Sequence, residues 1–534
     1  TRRPNLSTTS TSVSQRAASA GASAARPMNI TLVSASASAH DGAATSTLAS
    51  AQDELKLPDF GSSAGGVLSP DEERRYGEGM LRELRSYDVV LDDPLIADYI
   101  EGLGWRLVAV SERPEQPFTF FVVRSTEINA FAAPGGYVGV NTGLITMTET
   151  EDELAAVLGH ECAHVIQRHL VRAYESMRNV SIPIALAMLG ALIAASGSSN
   201  SGDAAQAAVI GGQALMQQQQ INFTRYNEYE ADRIGINILA KAGYDPMAMA
   251  VTFQRMGRAG RSNGDGPPEY LRTHPVTVSR VSEAKARADT MRGNPETVAA
   301  IRKAAASRVA AESQSPLKLL PSYAGTLPPA SARPPGEAGL TDFLLFRERS
   351  RVLGGEEPLA LVNYYRGSLD VAQRDLPHYR YGLALALTRA GRPEESMQVL
   401  GQLVGEQPDV IAFGLGLAEA EAAAGRHDLA LRRLAALAHK HPGNKSVTIA
   451  YADELTYSAT ATAGREAIDL LRPQLNRAPW DPLLQLSFAR ACELAGEDVR
   501  AGEAHAEVAL LNGQFSDALN QLVELLRRDD VDYY

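Results

Sequence analysis

The chain has 534 residues, enough for two to four domains, and 45% of them are hydrophobic, enough for more than one core. Its 51 Lys and Arg against 63 Asp and Glu give a net charge of −12 with no basic cluster, which argues against a nucleic-acid partner. Cys162 and Cys492 are too few and too far apart for a disulfide framework.

Residues 1–66 start at Thr1 rather than Met and are rich in Ser, Ala, Thr and Gly. Their one apolar run, Ile30 to Val33, is too short for a signal core or a membrane span. This segment reads as disordered, the remainder of an export or anchoring region.

A folded domain is expected over 67–295. From Ser69 to Pro114 the pattern is helical: DEERRYGEGMLRELR, then DDPLIADYIEGLGWRLVAV. Phe118 to Arg124, Ile128 to Ala132 and Tyr137 to Asn141 read as strands, the last two joined by the turn Pro134-Gly135-Gly136, and together predict a small antiparallel sheet. Asn129 to Ala132 is the expected edge, where an extended peptide could add as a further strand.

The next stretch, TETEDELAAVLGHECAHVIQRHL, opens with a capping-box pattern from Thr150 to Glu153 and continues with apolar residues at helical spacing. It contains His160-Glu161-Cys162-Ala163-His164, which fits H-E-x-x-H. Histidines four apart on a helix project from one face and can share a Zn²⁺, one per chain, while Glu161 beside them is placed to act as general base. Cys162 sits at a non-ligand position and reads as a packing residue.

Between 179 and 202 there is no charged side chain, and apolar blocks Ile182 to Ala195 and Ala204 to Met216 are each shorter than a membrane span. Residues 180–216 therefore suggest a hairpin resting on a membrane surface or lining a cleft, the segment through which peripheral membrane contact is expected.

Two histidines need a third protein ligand. His169 lies five residues beyond His164, about 140° round a continuing helix, which points it away as a solvated or capping side chain. A longer His-rich motif is absent, since Gln167 and Leu170 stand where it needs Gly and His. The better candidates lie on NEYEADRIGINILAKAG, a helix expected to end at Gly243. Glu228 and Asp232 share a face there, so Glu228 can complete the site while Asp232 hydrogen-bonds a ligand imidazole. Glu230 is the runner-up ligand; about 200° from Glu228, it cannot face the metal with it.

HECAH, then EYEAD about sixty residues on, then THPVTVSR, with NAFAAPGGYVGVNTGL upstream, resembles the HtpX/BepA/prenyl-protein-protease family of gluzincin peptidases over residues 70–292. The resemblance implies that Glu228 is the zinc ligand and Asp232 its neighbour. It also brings the loop of His274 to the active site. There His274 either fills the open zinc position of a latent enzyme or donates a hydrogen bond to the tetrahedral intermediate. Arg280 follows six residues later.

Residues 296–340, with SPLKLLPSYAGTLPPASARPPGEAG, read as a Pro-rich linker. Beyond it GRPEESMQVLGQLVGEQP and GRHDLALRRLAALAHKHP repeat, Gly391 to Gly425 and Pro408 to Pro442 each being 34 residues apart, a tetratricopeptide period. Weaker echoes at Gly464, Gly496 and Gly513 suggest four helix pairs within 341–534, with a concave face for an extended partner.

The fold class expected is thus an α+β gluzincin metallopeptidase domain, mostly helical with a small antiparallel sheet, followed by an all-α tetratricopeptide solenoid. That combination narrows the resemblance to the BepA type of that family. It implies a zinc endopeptidase in the Gram-negative periplasm that acts on protein substrates, among them misassembled outer-membrane proteins or their assembly machinery held by the repeats. The alternative is a chaperone or docking scaffold whose repeat domain is the main function and whose protease is latent.

Overall fold

The computed structural model describes residues 68–173, 175, 224–262, 268–314, 341–371 and 376–528. The segment expected to be disordered (1–66) and the apolar hairpin of 180–216 lie outside them. All described residues belong to one unit.

Two capped helices open it. α1 (Pro70–Ser86) starts with a reciprocal capping box between Ser69 and Glu72, and α2 (Pro94–Val108) with Asp93 as N-cap; both carry proline at the first helical position. α2 buries Ile96, Ile100, Leu103 and Leu107 completely against a three-stranded sheet.

That sheet comprises β1 (Thr119–Val123), β2 (Ala130–Ala133) and β3 (Tyr137–Asn141), in the order β1-β3-β2. The expectation of an antiparallel sheet needs correction: β2 and β3 pair antiparallel, but β1 and β3 pair parallel. The cause is topological. The hairpin folds back so that β3, not β2, lies beside β1, and two reversals of direction restore the direction of β1. β2 does occupy an edge.

α3 (Thr142–Met147) leads into α4 (Glu151–Ile166), which is almost wholly buried. Thr150 caps it by accepting from Glu153 N at 3.3 Å, but the Glu153 carboxylate accepts from Glu149 N at 2.9 Å, so the capping box is not closed. The helix α5 over 224–242 packs across α4. α6 (Ala248–Ser262), the short α7 (Glu269–Thr273) and α8 (Val278–Gly293) follow.

Of the segment expected as linker, 296–314 is helical, lying within α9 (Pro295–Gln314). Its alanine-rich sequence favours helix, and Asn294 Oδ1 accepts from Glu296 N at 2.9 Å.

α10 (Asp342–Leu353) and α11 (Pro358–Asp370) precede four helix pairs: α12 (Pro377–Arg389) and α13 (Pro393–Glu406), α14 (Ile411–Ala423) and α15 (His427–Lys440), α16 (Lys445–Thr456) and α17 (Ala461–Leu475), α18 (Pro482–Ala495) and α19 (Asp498–Leu511). α20 (Phe515–Leu525) ends the series. α10 serves two cores at once. It sends Phe343, Leu344 and Phe346 among the side chains of α2 and α4, and Leu345 and Val352 among those of the repeats. Arg349 on α10 donates to Asp93 through Nε at 2.9 Å and Nη2 at 2.7 Å, and Lys445 on α16 meets Asp98 at 2.7 Å. The repeats are therefore fastened to α2 by buried ion pairs as well as apolar contacts.

Candidate metal centre

α4 and α5 approach backbone to backbone. A Cβ on Gly235 would come 3.2 Å from both Gly159 C and His160 N, tighter than an ordinary contact, so glycine at 235 lets the two backbones lie this close without a shift. The crossing lies beside His160 and puts Glu228, two turns earlier on α5, over the histidine pair.

The result is a convergence of four side chains. One donor atom each from His160, His164, Glu228 and His274 lie within 4.8 Å of one another. His160 Nε2 and His164 Nε2 are 3.0 Å apart, and His274 Nδ1 is 3.0 Å from Glu228 Oε1 and 3.4 Å from His160 Nε2. His274 follows α7 as its C-cap. Glu230 is not in the group.

Glu161 is fully buried, and neither carboxylate oxygen has a hydrogen-bond partner among the described residues. His274 Nε2 lies 3.8 Å from its Oε1. A buried carboxylate without partners is costly unless a ligand completes it. The donor set and this orphaned carboxylate both fit a divalent cation: two imidazoles and a carboxylate are the ligands that catalytic zinc takes.

Behind His160, Asp232 Oδ1 lies 3.0 Å from Nδ1, and Arg280 clamps Asp232 through Nε and Nη2 at 2.7 Å each. Arg280 Nη1 also stands 2.8 Å from Glu228 Oε2, and the guanidinium lies 4.9 Å from the ring centre of Phe253. Burial opposes charge on His160, but the neighbouring Asp232 and Glu228 outweigh it and raise its pKa to about 9. Burial, then the neighbouring His160, drives His164 well below the usual imidazole range. Against burial, His274 and His160 hold Glu228 well below the usual carboxylate range. Two carboxylates thus bias the cluster toward a cation.

His169 departs from expectation. It is buried, with Nδ1 3.0 Å from His164 Nδ1 and Nε2 3.0 Å from Glu230 Oε2. The predicted 140° offset assumed a continuing helix, but α4 ends at Ile166 and Arg168 takes a left-handed conformation (φ 52°) that brings His169 back alongside His164. Arg280 and Tyr270 carried no sequence signal beyond their nearness to the His-Pro step. Tyr270 is fully buried, stacks on His274 with ring centres 4.7 Å apart, and donates its backbone N–H to Ile128 O just before β2.

Comparison with known proteins gives the family of the chain. Residues 94–288 match the model of peptidase family M48, and residues 387–453 that of a tetratricopeptide repeat. The beta-barrel assembly-enhancing protease of Yersinia pestis is 31% identical over 488 residues, 91% of this chain and 90% of that protein. That of Escherichia coli (strain K12) is 40% identical over 236 residues, 44% of this chain and 48% of the relative. A Vibrio cholerae relative is 36% identical over 359 residues, 67% of this chain and 65% of its own length. The last two alignments span less than two thirds of the relative.

Proposed function

The chain belongs to peptidase family M48, among the beta-barrel assembly-enhancing proteases, and as a metalloendopeptidase of that family we propose that it uses one Zn²⁺ held by His160, His164 and Glu228. The convergence of these donors, with His274, within 4.8 Å carries the reading. When bound, the ion supplies Lewis acidity toward the attacking water and the scissile carbonyl. Glu161 takes the proton of that water and returns it to the leaving amine. Asp232 holds the ring of His160 in the tautomer that turns Nε2 toward the ion. An extended peptide adds along the edge strand β2, whose end Tyr270 supports through Ile128.

The substrates we propose are proteins, misassembled outer-membrane proteins among them, met in the periplasm, with the repeat helices docking the partner. Support comes from the names of the relatives and from the tetratricopeptide match. Among the described residues no helix is long and apolar enough to cross a membrane. The second reading, a scaffold with a latent protease, is favoured by one observation: His274 supplies a fourth protein donor where substrate water needs a place.

The deciding experiment is Glu161→Gln. The variant should keep its zinc and lose cleavage of an unfolded barrel protein by about 10²- to 10⁴-fold. Full activity would sink the mechanism, and loss of zinc would move Glu161 into the ligand set.

A further inference from the structure

We propose that His169 is a positioning residue for His164, joining it to Glu230 and Arg172 in a buried relay that parallels the Asp232–Arg280 pair behind His160. The inference rests on the zinc reading of the site and concerns how its second imidazole is held.

The relay is contiguous. His164 Nδ1 and His169 Nδ1 are 3.0 Å apart, His169 Nε2 and Glu230 Oε2 are 3.0 Å apart, and Arg172 Nη1 lies 3.2 Å from the same oxygen. His169 and Glu230 are both buried. Direction follows from the chemistry of imidazole. His164 turns Nε2 into the donor cluster, so that nitrogen presents its lone pair and Nδ1 carries the proton. His169 Nδ1 must then accept, which leaves the proton of the second ring on Nε2. That N–H donates to Glu230, which can only accept, and Arg172 neutralises the carboxylate.

Each of the two imidazoles on α4 therefore ends at a carboxylate backed by an arginine, His160 directly and His164 through one inserted ring. The insertion has a structural cause. Glu230 sits on the side of α5 away from Glu228, and the turn at Arg168 swings His169 into the gap between Glu230 and His164. A ring there fixes both the tautomer and the tilt of His164, which tunes metal affinity rather than the chemical step.

Zinc affinity of the full chain, measured in competition with a chromophoric chelator, tests this. His169→Phe keeps the bulk and removes both ring nitrogens; its affinity should fall by about 10- to 100-fold. His169→Gln offers an acceptor and a donor on one amide and should recover most of that loss, a rescue that mere filling of space would not give. Affinity in His169→Phe equal to the parent's overturns the proposal. Absence of zinc binding by the parent overturns the metal reading itself, and this inference with it. Should the Phe variant not fold, long-range ¹H–¹⁵N spectra of the zinc-loaded parent, labelled at histidine and assigned through the Gln variant, decide the matter. His169 must carry its proton on Nε2, and a proton on Nδ1 overturns the relay.

Discussion

His160 Nδ1 and Asp232 Oδ1 stand 3.0 Å apart while Arg280 grips the same carboxylate from behind. Asp232 thus lies beside the ring without joining the donor group, and the proposed role is to orient it. Asp232→Asn turns an N–H toward either His160 or Arg280, and zinc affinity should fall about 10- to 100-fold by chelator competition. Unchanged affinity would show that packing alone holds the ring.

Arg280 is among the largest fully buried side chains and lies against both Glu228 and Asp232. Arg280→Met leaves two buried carboxylates without their cation and should cost about 3–5 kcal/mol in urea unfolding of metal-free protein. Added zinc should recover more stability in the variant than in the parent, because a cation then replaces part of the lost charge. Equal recovery would contradict this account.

For His274, the donor geometry favours a ligand position over a role toward the substrate. His274→Ala should lower the coordination number seen at the zinc edge by one and raise hydrolysis of a short peptide. A fall in activity with unchanged coordination would assign His274 to the substrate instead.

The close crossing of α4 and α5 predicts that Gly235→Val costs about 1–3 kcal/mol through overpacking and weakens the proposed zinc binding together with stability. The added methyls meet Gly159 and His160, and Met249 on the far side. A variant as stable and as zinc-competent as the parent would show that the helices can spread freely.

Far from the site, burial pushes His378 down to about 4, with Glu348 and Arg347 facing it. An unfolded histidine takes up its proton near 6.5, so between those values the unfolded chain binds a proton that the folded one refuses. Its neutral burial is compatible with full stability above pH 6.5 and costs stability as pH falls toward 4, by up to about 3 kcal/mol. His378→Phe should lose less stability than the parent between pH 7.5 and pH 4.5, read from urea midpoints; parallel loss would reject the assignment.

The histidine pair of α4 and the repeats were legible because each is local. HECAH puts two rings on one helical face by spacing alone, and the 34-residue register of Gly391 and Gly425 marks a unit that recurs. The helical reading of 70–86 and 94–108 likewise rests on caps and periodicity within the segment. Where the reading failed, distant contacts or a single backbone turn decided. β1 runs parallel to β3 because the hairpin inserts β3 beside it, which no strand propensity encodes. His169 escaped because its direction depends on where α4 stops and on the left-handed Arg168.

Sequence by itself determined the donor types, their order along the chain and the repeat period, since these follow from side-chain chemistry and helical spacing. Only the tertiary structure decided which carboxylates meet which imidazoles. Glu228, Glu230 and Asp232 lie within five residues, yet one reaches the donor group, one backs His169 and one backs His160. That division depends on the angle at which α5 crosses α4, and the angle depends on the contact of Gly159 with Gly235 across some 75 residues of chain.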